Sequence, residues 1–146
     1  MKFQSQRSQE IKELLEKKIV KHNDKFVSKE TKNAPTGEVC YVNKDEEGAI
    51  QAGLSMQWYW GIMHIDYLWV NESLRGKRIG EQLLKLAEEK AIALGCTVIH
   101  LETYSFQAPN YYKKFSYQVF GTLENTPEDG ISLFYLRKNL QTNLDD

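Results

Sequence analysis

The stretch "LWVNESLRGKRIGEQLLKLAEE", Leu68 to Glu89, decides how this chain folds. Its first residues are apolar and β-prone and its last follow a helical period; between them lies a turn carrying Arg75, Lys77 and Arg78 around Gly76 and Gly80. A strand that feeds a helix through a short turn leaves the first helical N–H groups without intrahelical acceptors, and the helix dipole adds partial positive charge there. With side-chain cations at the same place, the turn suits a phosphate or pyrophosphate. It is not a Walker loop, which needs Gly-Lys-Ser/Thr after four intervening residues, nor the dinucleotide fingerprint, which needs a third glycine. Read alone, it is matched equally well by a solvated turn whose glycines serve only geometry and packing.

Working outward, Ile79, Leu83, Leu84, Leu86, Ala87 and Ala91 mark one apolar helical face that ends at Gly95. "IMHIDYLWV" before the turn and "TVIHLET" after the helix read as strands, so residues 62–103 form a crossover unit with parallel strands. "EVCYVNK", the turn "DEEG" and "AIQAGLSMQWYW" form an antiparallel meander leading into that unit. Downstream, "APNYYKKF" reads as a short helix, and "YQVFGTLEN" and "GISLFYLRKN" as two strands. At the start, Ile11, Leu14, Leu15 and Ile19 give an amphipathic helix, followed over 22–37 by a loop with or without a short helix in it. The fold class is α/β (α+β): a mixed, mostly antiparallel central sheet of about six to seven strands with helices on both faces. At 146 residues, the chain fits one domain spanning 1–146.

Acidic and basic residues nearly cancel, to a net charge of -1, which gives no global reason to expect a nucleic acid or a membrane as partner. The N-terminus is polar and no apolar run approaches the roughly 20 residues of a membrane span, so the expected location is cytoplasmic. Cys40 and Cys96 read as buried structural thiols. His22, His64 and His100 are scattered without metal-site spacing, and no metal is expected.

"SFQAPNYYKKFSY", taken with the basic turn, resembles the GCN5-related N-acetyltransferase (GNAT) superfamily. Arg75 and Gly80 match the family's Arg/Gln-x-x-Gly-x-Gly/Ala loop; Ala108, Tyr111, Tyr112 and Tyr117 match its later helix motif. The likeness spans about residues 50–138, with Met1–Phe3 a short candidate for the family's first strand. Arg78 stands where the loop's first glycine is expected, Ser105 where the helix motif has Asn, and Ser116 where it has Gly.

The resemblance implies acetyl transfer from acetyl-CoA to a primary amine of a small molecule or peptide, by direct attack and without a metal. It implies that the pantetheine arm pairs with backbone of Leu68 and Val70, and that Arg75, Gly76, Lys77, Arg78, Ile79 and Gly80 hold the pyrophosphate. Ser105, Ala108 and Tyr112 complete the expected cofactor contacts. Tyr112 matches the tyrosine that faces the sulfur and is the expected proton donor to the leaving thiolate. His64 is the leading base, with His100 and Glu102 on the next strand as second choices and a water wire as the alternative. Strict alternation would put His64, Asp66, Leu68 and Val70 on one face. Trp58, Tyr59, Trp60 and Asp66 are the expected acceptor-pocket residues. A homodimer is compatible with all of this. The competing function is a noncatalytic acyl-CoA binding or sensing module of the same fold.

Overall fold

Serine caps start both helices of the N-terminal segment. Ser8 Oγ accepts from the Ile11 amide at 3.2 Å to open α1 (Gln9–Asn23), and Ser28 Oγ accepts from Thr31 at 3.1 Å to open α2 (Lys29–Lys32). The structure is a computed structural model and describes residues 1–141. Its chain divides into two compact units, Met1–Ala34 and Pro35–Asp146. Met1–Phe3, the candidate first strand, takes no strand conformation. Three terminal residues offer too few ladder bonds to offset the entropy of ordering them.

In the second unit, short turns between apolar runs build β1 (Gly37–Lys44), β2 (Ile50–Tyr59) and β3 (Ile62–Val70), an antiparallel meander. The chain crosses through α3 (Ile79–Ala93) to β4 (Val98–Tyr104), which lies parallel to β3 as the crossover predicts. The short helix α4 (Pro109–Lys113) leads to β5 (Gln118–Leu123) and β6 (Leu133–Asn139). The result is a six-stranded, mostly antiparallel open sheet of order β1-β2-β3-β4-β6-β5. Among the described residues, no helix is long and apolar enough to cross a membrane.

One face of this sheet carries the core. Leu54, Met56, Met63, Ile65, Ile99 and Leu101 alternate inward along β2, β3 and β4 and meet Leu83, Leu84, Ala87 and Ala91 of α3. Leu86, expected on the same stripe, is 42% exposed, because one residue of helix is a rotation of about 100° and carries it off the stripe. Tyr112 and Tyr117 join the same cluster. The Tyr117 hydroxyl donates to Glu88 at 3.3 Å, and Glu88 pairs with Lys138 at 2.6 Å, tying α3 to β6 and to the segment just before β5. Cys96 is buried as expected, but Cys40 is exposed. It lies on β1 between Val39 and Tyr41, which pack against the core, so alternation turns the thiol outward.

Two irregularities position the site. The β2–β3 register runs Ser55↔Tyr67 and then Met56↔Ile65, so Asp66 is an extra, bulged residue on β3. The bulge reverses the alternation: Met63 and Ile65 face the core before it, Leu68 and Val70 after it. The expectation that Leu68 and Val70 share a face with His64 is thereby corrected. Second, β3 and β4 pair only as far as His64↔His100. Beyond that point β4 continues along β6 to Tyr104, β3 continues along β2 to Val70, and the sheet is split between them.

Candidate active site

The split opens into a cavity of about 970 Å³. Ile79, Gly80, Ala108 and Tyr112 line it from the core face, and Asp66 and Glu102 from the other, so the opening passes through the sheet.

Backbone direction along β3 follows from one bond. The Asn71 amide donates to the Gln51 carbonyl at 2.8 Å, so amides at the same parity, Trp69 and Tyr67, also turn toward β2. The N–H and C=O groups of Leu68 and Val70 therefore point into the split, where no strand pairs with them among the described residues. Arg75 Nε reaches one of them, donating to the Val70 carbonyl at 3.4 Å.

These groups lead directly to the start of α3. Its N-cap is Arg78, at φ 61 and ψ 23, with no side-chain cap bond, in contrast to the serine caps of α1 and α2. The first bond into the cap is from the Gln82 amide to the Arg78 carbonyl, 3.1 Å, which leaves the amides of Ile79, Gly80 and Glu81 without an acceptor among the described residues. The family's loop glycine is thus replaced by an arginine held in the left-handed region, beside Gly76 at φ 79. Arg75, Gly76 and Arg78 line the cavity, whereas Lys77 is exposed and does not.

Gly80 is required by close approach. A Cβ there would collide with the Tyr111 hydroxyl, which stands over the first turn of α3. Tyr111, another residue of the helix motif, thus also lines the cavity. Its neighbour Tyr112 is 9% exposed and packs edge-on against Tyr111 and Tyr117. Burial, with Tyr111 adding to it, pushes the Tyr112 hydroxyl up to about 12, so it stays protonated and able to donate.

On the opposite face His64 is held from both sides: Nδ1 is 2.7 Å from Asp66 Oδ1 and Nε2 is 2.5 Å from Glu102 Oε2. Burial pulls its pKa down, but the hydrogen bonds and charges of Glu102 and Asp66 outweigh that and raise it overall. Gln57 Nε2 donates to Asp66 Oδ1 at 2.9 Å and fixes the far carboxylate. His64 is not on the cavity surface; Asp66 and Glu102 are. His64, the expected base, thus has both ring nitrogens engaged, and a carboxylate stands between it and the opening.

Two further sets of expected site residues lie off the cavity surface. Trp58, Tyr59 and Trp60 do not line the cavity. Trp60 takes φ 48 in the two-residue turn before β3, stacked on Tyr59 with centroids 4.9 Å apart. That turn and the split lie at opposite ends of β3, roughly 20 Å apart at 3.3 Å per residue. Ser105 is also off the cavity surface; its amide donates to the Ser132 carbonyl at 2.8 Å and its Oγ accepts from the Ser132 amide at 3.1 Å, joining the end of β4 to the segment before β6.

An open mixed sheet, split beside a helix N-terminus with no side-chain cap, is the architecture of an acetyltransferase-like fold. The chain belongs to the acetyltransferase (GNAT) family, whose model matches residues 8–117. It is 36% identical over 98 residues to the blasticidin-S acetyltransferase of Streptomyces morookaense, covering 65% of this chain and 70% of that one. It is 27% identical over 95 residues to an acetyltransferase of Agrobacterium fabrum, covering 65% of this chain and 69% of that one. The crystal structure of an acetyltransferase from Bacillus cereus superposes with a TM-score of 0.84 at 37% identity, covering 95% of this chain and 98% of that one.

Proposed function

We propose that the protein transfers an acetyl group from acetyl-CoA to a primary amine of a small molecule or peptide, by direct attack within the split of the sheet. The observation that carries this reading is the run of backbone groups at Leu68 and Val70 that no strand pairs with among the described residues, ending at the uncapped start of α3. A pantetheine arm presents amides that need partners in series, and a pyrophosphate needs backbone donors and cations. The chain supplies both, with Arg75 and Arg78 beside the amides of Ile79 and Gly80, which have no acceptor among the described residues. The family match crosses the boundary between the two compact units, which supports treating residues 1–146 as one N-acetyltransferase domain.

Acetyl-CoA supplies an acyl group activated as a thioester. The Leu68 amide is placed to donate to the acyl oxygen as negative charge develops there. An alkyl ammonium, with a pKa of about 10.4, must lose a proton before it can attack. Asp66 and Glu102 attract that cation through the far face of the split, and Glu102 collects the proton while His64 anchors its carboxylate. Tyr112 stands on the near face as the proton donor to the departing thiolate. The amine and the thioester thus reach one opening from opposite faces of the sheet.

The relative named as a blasticidin-S acetyltransferase makes blasticidin S and other small-molecule amines the first acceptors to try. A panel of nucleoside antibiotics, aminoglycosides, polyamines and peptide N-termini, followed by free-thiol release from acetyl-CoA, tests the reading. Release that depends on one of these amines is expected. Binding of acetyl-CoA without amine-dependent release from any of them would make the protein a noncatalytic acyl-CoA module.

A further inference from the structure

The crossover brings together two histidines that the sequence keeps apart. His64 and His100 are register partners across β3 and β4 and turn to the same face, with ring centroids 4.6 Å apart at 48°. Glu102 follows two residues along β4 on that face. One nitrogen from each ring and one Glu102 oxygen lie within 4.8 Å of one another. We infer that His64, His100 and Glu102 form a binding site for a transition-metal dication of the zinc class, and that filling it blocks turnover by taking Glu102.

Bonds of about 2.0–2.2 Å to nitrogen and oxygen set tetrahedral ligand atoms roughly 3.4 Å apart. The His64–Glu102 separation of 2.5 Å must therefore widen, and the wider spans must narrow. Each adjustment is about an ångström, within reach of side-chain rotation. The second observation is Asp66, 2.7 Å from His64 Nδ1 and itself fixed by Gln57. A carboxylate on one ring nitrogen holds the tautomer that presents the other nitrogen to a metal, the usual support of a metal-bound histidine. Two imidazoles and one carboxylate, with a fourth position open to solvent, suit zinc, cobalt, nickel or copper rather than magnesium or calcium, which prefer all-oxygen shells. Because Glu102 also faces the amine, the ion competes with the acceptor and not with acetyl-CoA.

Binding itself does not depend on the acetyl-transfer reading; only its effect on turnover does. The test is titration of metal-stripped protein with Co²⁺, followed by visible absorption. One ion per chain, with the intense band of four- or five-coordinate cobalt, is expected, and Mg²⁺ should not displace it. His100→Asn should weaken Co²⁺ binding at least tenfold, and Glu102→Gln should do the same, which guards against one variant failing to fold. Cys40→Ser, which removes the exposed thiol, should leave it unchanged. Where an acceptor has been found, Zn²⁺ should inhibit competitively against the amine. A weak octahedral spectrum, wild-type affinity in both ligand variants, or loss of binding in Cys40→Ser would overturn the site, whether or not turnover is ever observed.

Discussion

Tyr112 is the residue on which catalysis and structure separate most cleanly. Tyr112→Phe keeps the ring that packs on Tyr117 and removes only the hydroxyl. Turnover should fall by the order of 10²-fold, the usual loss for a positioned acid, with the fall in kcat and little change in KM. Single-turnover kinetics with the best acceptor check it; an unchanged chemical step would remove Tyr112 from the mechanism. Gly80 makes a second prediction. Gly80→Ala pushes a Cβ into the Tyr111 hydroxyl and should destabilise by about 1–3 kcal/mol, as overpacking does. Adding Tyr111→Phe should recover most of that loss in thermal melts, and failure to recover would mean that the collision is not its source. The role of Tyr112 is read from the motif, but the Gly80 contact is not: the motif shows a glycine and two tyrosines, not that one hydroxyl rests where the glycine has no side chain.

At the scale of elements, the strand–turn–helix passage was legible because its periods differ so sharply: β3, α3 and β4 all lie where the apolar spacing puts them. The bulge at Asp66 was not, because it is a property of the β2–β3 pair and leaves no mark in the alternation of β3 alone. It moved the side chains of Leu68 and Val70 to the core face. The basic turn likewise divides on inspection, with Arg75 on the cavity and Lys77 outside it. Arg75→Glu should therefore abolish most of the thermal stabilisation given by acetyl-CoA, while Lys77→Glu should retain most of it. Equal losses in the two variants would mean that the turn acts only through its summed charge. Arg78→Gly relieves a left-handed arginine, worth about 1 kcal/mol against a looser unfolded chain, and keeps the backbone amide. Its acetyl-CoA affinity, measured by calorimetry, should change less than tenfold.

For the whole molecule, what the sequence could not show is which distant residues meet. His64, His100 and Glu102 converge only because β3 and β4 lie parallel, and the aromatic run at Trp58–Trp60 looked close to the site until the direction of β3 placed it at the far end. The buried tyrosines give a global prediction in alkali. Tyr112 is raised to about 12 and Tyr117 is raised too, by burial first and Glu88 second, so folding retains protons that the unfolded chain loses near pH 10. Their stabilising contribution is complete below pH 10 and should decline as pH rises toward 12. Denaturation curves read alongside tyrosinate absorbance check this; tyrosines that all ionise near 10 in the folded protein would contradict it.

The central claim, that the split between β3 and β4 is the acetyl-CoA site, is tested most directly by amide hydrogen exchange with and without acetyl-CoA. Exchange should slow at Leu68, Val70 and Ile79 to Glu81, whose amides face the split or start α3 unpaired, and should stay unchanged at the Trp60–Gly61 turn. Slowing confined to that turn or to β1 and β2, or no slowing at saturating acetyl-CoA, would contradict the account.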